Sequence, residues 1–441
     1  MRLTRLRDVF WFLPLVMALS AIVLAQVLVE VDRALADTTP GWEGGFFVRV
    51  GASGGRDLLG AIGGSMLAVA ATSFSITISV LATASSTYGP RLVRNFMNDR
   101  GNQFVLGMFG ATFLYALMVL RAITAGPTVD TTFVPDIAVN VAVGLAVVDV
   151  LVLVYFINHI ASSIQVSTLS ARVRSELDAV VAELYPDPAP DNAVAAPTPG
   201  GGTPVTATGS GFVIGIDETA LLRTAREQGC LIAIEVRPGD HLVDGEVLAR
   251  IHGIDGDDEA TSGATDAIRD GIELGETRTP YQDIQFAVQQ LTEMAVRALS
   301  PGTNDPYTAH NALNELAAGL VPLARRRAPD LGRTDDDGTV RLIVTRLPMQ
   351  ELLDDVFGAV RTYALDAPIA MTAAIMLARR IGVAAVDADV RDHVTLHLDR
   401  IDDALDRASD PVNAEFCRGE IAQARSSIGI THQQVDREGT V

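Results

Sequence analysis

"VAVGLAVVDVLVLVYF", residues 141–156, carries one charge, Asp149, in an otherwise apolar or small-residue run. A hydrocarbon core takes ~20 helical residues to cross, and the apolar stretch around this run extends over residues 137–159. It therefore reads as a membrane-spanning helix. Working outward, three more stretches meet the same requirement, at about residues 9–31, 58–84 and 104–123. The first exceeds the ~7–15 apolar residues of a secretory signal core and is read as a retained helix. The expected fold begins with a four-helix α-helical transmembrane domain over residues 1–160.

Charge separates this domain from the rest. The chain of 441 residues has a formal net charge of −20 and a positive mean hydropathy, +0.27. Residues 1–160 hold 10 Arg against 10 acids, whereas residues 161–441 hold 24 Arg against 44 acids, so the second part carries the whole imbalance. An acidic body offers no excess of cations to displace phosphate counterions, so nucleic acid is excluded as a partner. Every basic residue is Arg. The absence of Lys excludes Schiff-base, biotinyl-lysine and lipoyl-lysine chemistry, and a phosphate loop built on the usual Lys. The two cysteines, Cys230 and Cys417, are read as reduced thiols rather than a disulfide framework.

Orientation follows from arginine placement. Arg2, Arg5, Arg7, Arg91, Arg94, Arg100, Arg172 and Arg174 flank the spans on one side, against Arg33, Arg49, Arg56 and Arg121 on the other. Both termini are thus expected in the cytoplasm, with the chain multi-pass in a bacterial inner membrane.

Two features of the membrane domain carry possible chemistry. In "TSFSITISVLATASSTYGPR", residues 72–91, the side chains Thr72, Ser75, Ser79, Thr83 and Ser86 fall on one arc of a helix, extended by Gly64 and Ala68. Small and hydroxyl residues at this spacing either let helices pack closely or line a wet ion path. Asp149 lies about twelve residues into the fourth span, near mid-membrane. An intramembrane carboxyl either serves ion movement or makes a structural hydrogen bond. Asn140, Asn158 and His159 lie on the same helix nearer the interfaces. The segment "TYGPRLVRNFMNDRGNQ" reads as a basic amphipathic connector that anionic headgroups would attract, or as a plain solvated one.

Beyond the spans, Val166, Leu169, Val173, Leu177, Val180 and Leu184 recur at spacings of three and four, the seam of a helical stalk over residues 161–184. Such a seam builds a coiled coil between copies or packs on its own domain. Residues 185–210 are Pro-, Gly- and Ala-rich and read as a linker. Residues 211–280 alternate strand, helix and strands around the Pro238-Gly239-Asp240 turn, and "VRPGDHLVDGEVLARI" resembles half of a barrel-sandwich hybrid. "GIDGDDEAT" lacks the alternating acids of a calcium loop and is read as solvated. Residues 281–430 read as amphipathic helices, and 431–441 as a frayed tail. Within the helical part, "RTPYQDIQFAVQQLTEMAVRALSPGTNDPYTAHNALNEL" offers Arg278, Asp283, Arg297, Asn304 and Asp305 as a polar cluster. These either cap helices or gather into a ligand or subunit site. His393 and His397 are four apart on a helix but lack a Glu between them and an evident third ligand, so no metal site is expected.

The stretches "SFSITISVLATASSTYGPRLVRNFMNDRGNQFVLGMFGATFLYALMVLR", "RPGDHLVDGEVLARI" and "RTPYQDIQFAVQQLTEMAVRALSPGTNDPYTA" together resemble the bacterial predicted membrane protein family catalogued as domain of unknown function 2254. The resemblance covers most of the chain. It implies architecture and brings no activity or catalytic residues.

The expectation is therefore an oligomeric integral membrane protein: an ion channel or ion-conducting transporter with a Ser/Thr-lined second span and a cytoplasmic gating body. Its expected partners are the lipid bilayer, further copies of itself and inorganic ions, with no cofactor and no enzymatic activity. The alternative is a membrane-anchored cytoplasmic scaffold or sensor without transport.

Overall fold

Apolar length decides the first part of the chain. The computed structural model describes residues 10–38, 50–88, 99–124, 133–163, 165–253 and 258–438. The chain divides into two units, Met1–Thr168 and Leu169–Val441.

In the first unit four helices are long and apolar enough to cross a membrane: α1 (Phe12–Thr38), α2 (Ala52–Tyr88), α3 (Arg100–Ala122) and α4 (Asp136–Ser163). α3 is the hub and packs against the other three. Its buried residues, among them Val105, Phe109, Tyr115, Ala116 and Val119, meet Ala25 and Val29 of α1, Leu59 and Ile62 of α2, and Val152 and Phe156 of α4 in one apolar cluster. The outward faces of α1 and α4 expose Leu19, Val23, Val27, Val147, Leu151, Val154 and Ile157. Such a surface suits hydrocarbon and not water.

The second unit opens with α5 (Val166–Leu184), whose Leu169, Val173, Leu177, Val180, Val181 and Leu184 are buried. The seam expected of the stalk is real, and it packs on its own unit. Arg174 Nε lies 2.9 Å from Glu315 Oε2 on α9 (Pro306–Ala324). A Cβ at Gly319 of α9 would stand 2.3 Å from Leu177 Cδ2. The coiled-coil argument for an oligomer therefore falls away, because its hydrophobic face is already covered.

The Pro-, Gly- and Ala-rich segment expected as a linker supplies two strands, β1 (Ala193–Val194) and β2 (Thr203–Thr206). These form the two edges of a six-stranded mixed sheet of order β1-β8-β9-β4-β6-β2. The other members are β4 (Leu231–Ile234), β6 (Val247–His252), β8 (Gly332–Thr334) and β9 (Val340–Ile343). Only β4 and β9 run parallel. A second sheet, β5-β3-β7, combines His241–Leu242, Gly211–Ile216 and Ile272–Gly275. Both sheets, with α6 (Glu218–Glu227) and α7 (Asp258–Gly271), share a core that includes Val213, Leu221, Ile232, Leu248, Ile268 and Leu342. The barrel-sandwich expectation is not reproduced. β4 and β6 pair with each other while β5 crosses to the second sheet, and β8 and β9 arrive from the region expected to be wholly helical.

The helical part comprises α8 (Ile284–Ala298), α9, α10 (Met349–Tyr363), α11 (Pro368–Ala384), α12 (Ala388–Leu405) and α13 (Pro411–Glu438). α11 is central and packs on α9, α12 and α13. The tail expected to fray continues α13 as far as Glu438. Most of the expected basic connector and of the acidic loop after Gly253 lies outside the described residues.

Candidate functional site

Among the described residues of the membrane unit, three sets of polar groups bear on function. The first sits where helices end. Asp32 of α1 reaches the start of α4, where Oδ1 accepts from Ile137 N at 3.1 Å and Oδ2 from Ala138 N at 3.0 Å. An exposed helix N-terminus holds free N–H groups that a carboxylate satisfies, so Asp32 caps α4 from another helix. Asp99, the N-cap of α3, does the same locally. Its Oδ1 accepts from Gly101 N at 2.8 Å and meets His159 Nε2 of α4 at 2.9 Å. The His159 ring stacks on Tyr155, with centroids 5.4 Å apart. Gly101 makes room for it, since a Cβ there would lie 2.6 Å from Nε2.

The second set is the hydroxyl stripe of α2. The arc expected from the sequence exists, and Thr72, Ser75, Ser79 and Thr83 lie on it with Gly64 and Ala68, all on the exposed side of the helix. Ser86 belongs to the same helix, and its side chain lies outside the described residues. Two of the hydroxyls bond back to their own helix, Thr72 to Ala68 O at 2.9 Å and Thr83 to Ser79 O at 3.0 Å. The inward side of α2 carries different hydroxyls, the buried Ser73 and Thr77.

The third set is interior. Asp149 is 1% exposed, and neither carboxylate oxygen has a hydrogen-bond partner. Thr112 of α3, also 1% exposed, faces it closely enough to interact with the carboxyl, although no hydrogen bond of good geometry joins the two. Buried Asn102, near the Asp99 end of α3, has an unpartnered side-chain amide as well. By chain position Val105 and Phe109 of α3, with Val152 and Phe156 of α4, fill the interior between Asp149 and the Asp99–His159 pair. Asp149 and the α2 stripe therefore occupy opposite environments, one inside the unit and the other on its outer face. They cannot line one path within a single copy.

In the second unit the expected five-residue cluster divides between the two ends of α8. Asp283, 2% exposed, caps the N-terminus through Phe286 N at 2.9 Å. Arg278 grips both of its oxygens at 2.7 Å and donates to Gln289 Oε1 at 2.7 Å. Burial pushes the Asp283 carboxyl up, and Arg278 draws it back. Gly239, at φ +98°, brings the Pro238-Gly239-Asp240 turn onto this pair. A Cβ there would stand 2.5 Å from Asp283 Oδ2. At the other end Arg297 pairs with Glu293 at 2.8 Å, Asn304 takes a left-handed turn at φ +46°, and Asp305 caps α9 through Thr308. These are capping and pairing roles. Arg297, Asn304 and Asp305 stand ~20 Å from Asp283 along a 15-residue helix.

The histidines correct a different expectation. His393 and His397 do find a third group, Asp354 of α10, 39 residues before His393 in the chain. No spacing rule would reveal it. The cross-helix roles of Asp32 and of Asp99 with His159 were also invisible, because both depend on which helix ends meet.

Comparison with known proteins agrees with a membrane protein. The family described as "Predicted membrane protein (DUF2254)" matches residues 7–379. Uncharacterized proteins of Mycobacterium bovis and Mycobacterium tuberculosis are each 29% identical over 439 residues, covering 96% of this chain and 79% of the relative. No solved structure matches the chain.

Proposed function

The chain belongs to the predicted membrane protein family DUF2254, and for it we propose an integral protein of the bacterial inner membrane that carries protons or small cations, with Asp149 as the group that takes up and releases the ion. The observation that carries this reading is the unpartnered, buried carboxylate of Asp149 on a membrane-spanning helix. A carboxylate at the centre of a span costs about 2.5–3.5 kcal/mol on insertion scales. A structural role would offset that with a hydrogen bond. Exchange with a mobile ion supplies the alternative compensation, and the unpartnered Thr112 hydroxyl gives the ion a second oxygen.

The outward stripe of α2 supports assembly of copies in the membrane. Gly60, Gly64, Ala68 and Thr72 repeat at four-residue intervals on an exposed face, the small-residue pattern that lets membrane helices approach closely. In this reading the second unit is cytoplasmic, as the arginine bias suggests, and it gates the membrane part.

Purified full-length chain in liposomes tests the proposal with pH-sensitive and cation-sensitive dyes. Wild-type vesicles are expected to pass ions, and Asp149→Asn to reduce the flux at least tenfold. Ser79→Leu reports on the outer face: a loss there with Asp149→Asn unchanged moves the path to the interface between copies. Flux equal to that of empty vesicles refutes transport and leaves an anchored scaffold or sensor.

A further inference from the structure

We propose that Asp354, His393 and His397 form a binding site for a divalent transition-metal ion of the zinc class, linking α10 to α12. His393 and His397 lie one helical turn apart and point to the same side of α12, their rings 4.9 Å apart between centroids. Asp354 Oδ1 stands 3.2 Å from His393 Nε2 and 3.0 Å from His397 Nε2. All three ligand atoms lie within 4.8 Å of one another.

These separations are what an ion would require. Zinc binds imidazole nitrogen and carboxylate oxygen at ~2.0–2.2 Å, and tetrahedral bonds of that length hold neighbouring donor atoms about 3.3–3.5 Å apart. The two Asp354 distances are already close to this edge length. Two imidazoles with one carboxylate also match the donor preference of zinc and its neighbours, whereas calcium and magnesium prefer oxygen alone.

His397 gives an independent sign. It is 3% exposed, and its Nε2 stands 3.0 Å from Asp354 Oδ1 without a hydrogen bond of good geometry. A metal ion held between the two groups would occupy the Nε2 lone pair. The ring is fixed from behind by Phe357, 5.2 Å between centroids. Asp354 lies open to solvent, which leaves an entry side and a fourth position for water. The nearby cation is Arg400, an exposed side chain whose Nη1 is 3.6 Å from Asp354 Oδ1.

The probe is Zn²⁺ or Co²⁺ added to tag-free, full-length chain in detergent after chelator treatment. The expected result is one ion per chain, with Co²⁺ giving the visible absorption of a tetrahedral nitrogen and oxygen site. Asp354→Asn and His393→Gln change side chains outside the core and should each weaken binding by at least the ~10–100-fold that loss of an outer-shell partner brings. His310→Gln on α9 should leave it unchanged. Absence of stoichiometric binding to the wild type, or equal affinity in Asp354→Asn and His393→Gln, would overturn the assignment.

Discussion

Gly319→Ala tests whether α5 is seated on its own unit. A Cβ at this position would lie 2.3 Å from Leu177 Cδ2 and 2.9 Å from its Cγ, where ordinary contact begins near 3.4 Å. Something must yield by about 1 Å, and Leu177 is 0% exposed, so it cannot turn out into solvent. Overpacking of this kind costs about 1–3 kcal/mol. Replacing a helical Gly with Ala returns about 0.8–1 kcal/mol of helix propensity, so the single variant should be destabilised by roughly 0–2 kcal/mol. Leu177→Ala alone should cost about 2–5 kcal/mol as a buried cavity. In that background the clash is gone, and Gly319→Ala should become neutral or stabilising by up to ~1 kcal/mol. The double variant is therefore expected to be more stable than the sum of the singles by about 1–3 kcal/mol. Pulse proteolysis of the full chain in mild detergent over a urea series measures all four corners of the cycle. Additivity to within ~0.5 kcal/mol would refute the contact and return the seam of α5 to an association between copies.

Other expectations follow from the second unit. Asp283→Ala should cost about 3–5 kcal/mol, because Arg278, 15% exposed, loses the carboxylate it grips and α8 loses its cap; Asp283→Asn, which keeps an oxygen for Phe286 N, should cost less in the same urea titration. Hydrogen bonds from the Thr308 hydroxyl and N–H hold the Asp305 carboxyl below its ordinary value. Its contribution is present at neutral pH and is lost as pH falls below about 4 through the lowered value, so acid unfolding of Asp305→Asn should be less steep there. Burial pushes both thiols, Cys230 and Cys417, above their ordinary range. Maleimide at pH 7 should label neither in the native chain and both in urea, as read by mass spectrometry.

The four spans were legible because length and apolarity alone decide them, and the α5 seam and the α2 arc because helical periodicity does. What periodicity leaves open is the neighbour. The arc of Thr72, Ser75, Ser79 and Thr83 was placed on one face, yet it is Ser73 and Thr77 that turn inward, since α3 packs against the side marked by Leu59, Ile62 and Met66. β1 and β2 escaped because Ala193–Val194 and Thr203–Thr206 carry no apolar alternation; they become strands through the ladders that Arg333 with Gly332 and Val247–Ile251 offer them. The polar cluster of the second unit resolves into capping and pairing, one of its two readings from sequence, rather than into a single site. Its members are close in sequence, and a straight 15-residue helix holds them apart.

The membrane unit contains its own control for the meaning of Asp149. Two other carboxylates there are structural, and both are visibly satisfied: Asp32 by two backbone N–H groups of α4, and Asp99 by backbone N–H groups and His159. Each sits at a helix end, where free donors are a property of the backbone. Asp149 sits in mid-helix, where every backbone donor is already used along the helix, so only a side chain or a mobile species can meet it. The facing side chain on α3 is Thr112, whose hydroxyl lies near the carboxyl without forming a hydrogen bond of good geometry. A carboxyl placed for packing would be expected to resemble Asp32. Its difference from Asp32 and Asp99 is what the proposed ion-carrying role rests on, which is why the flux of Asp149→Asn, rather than its stability, is the decisive measurement.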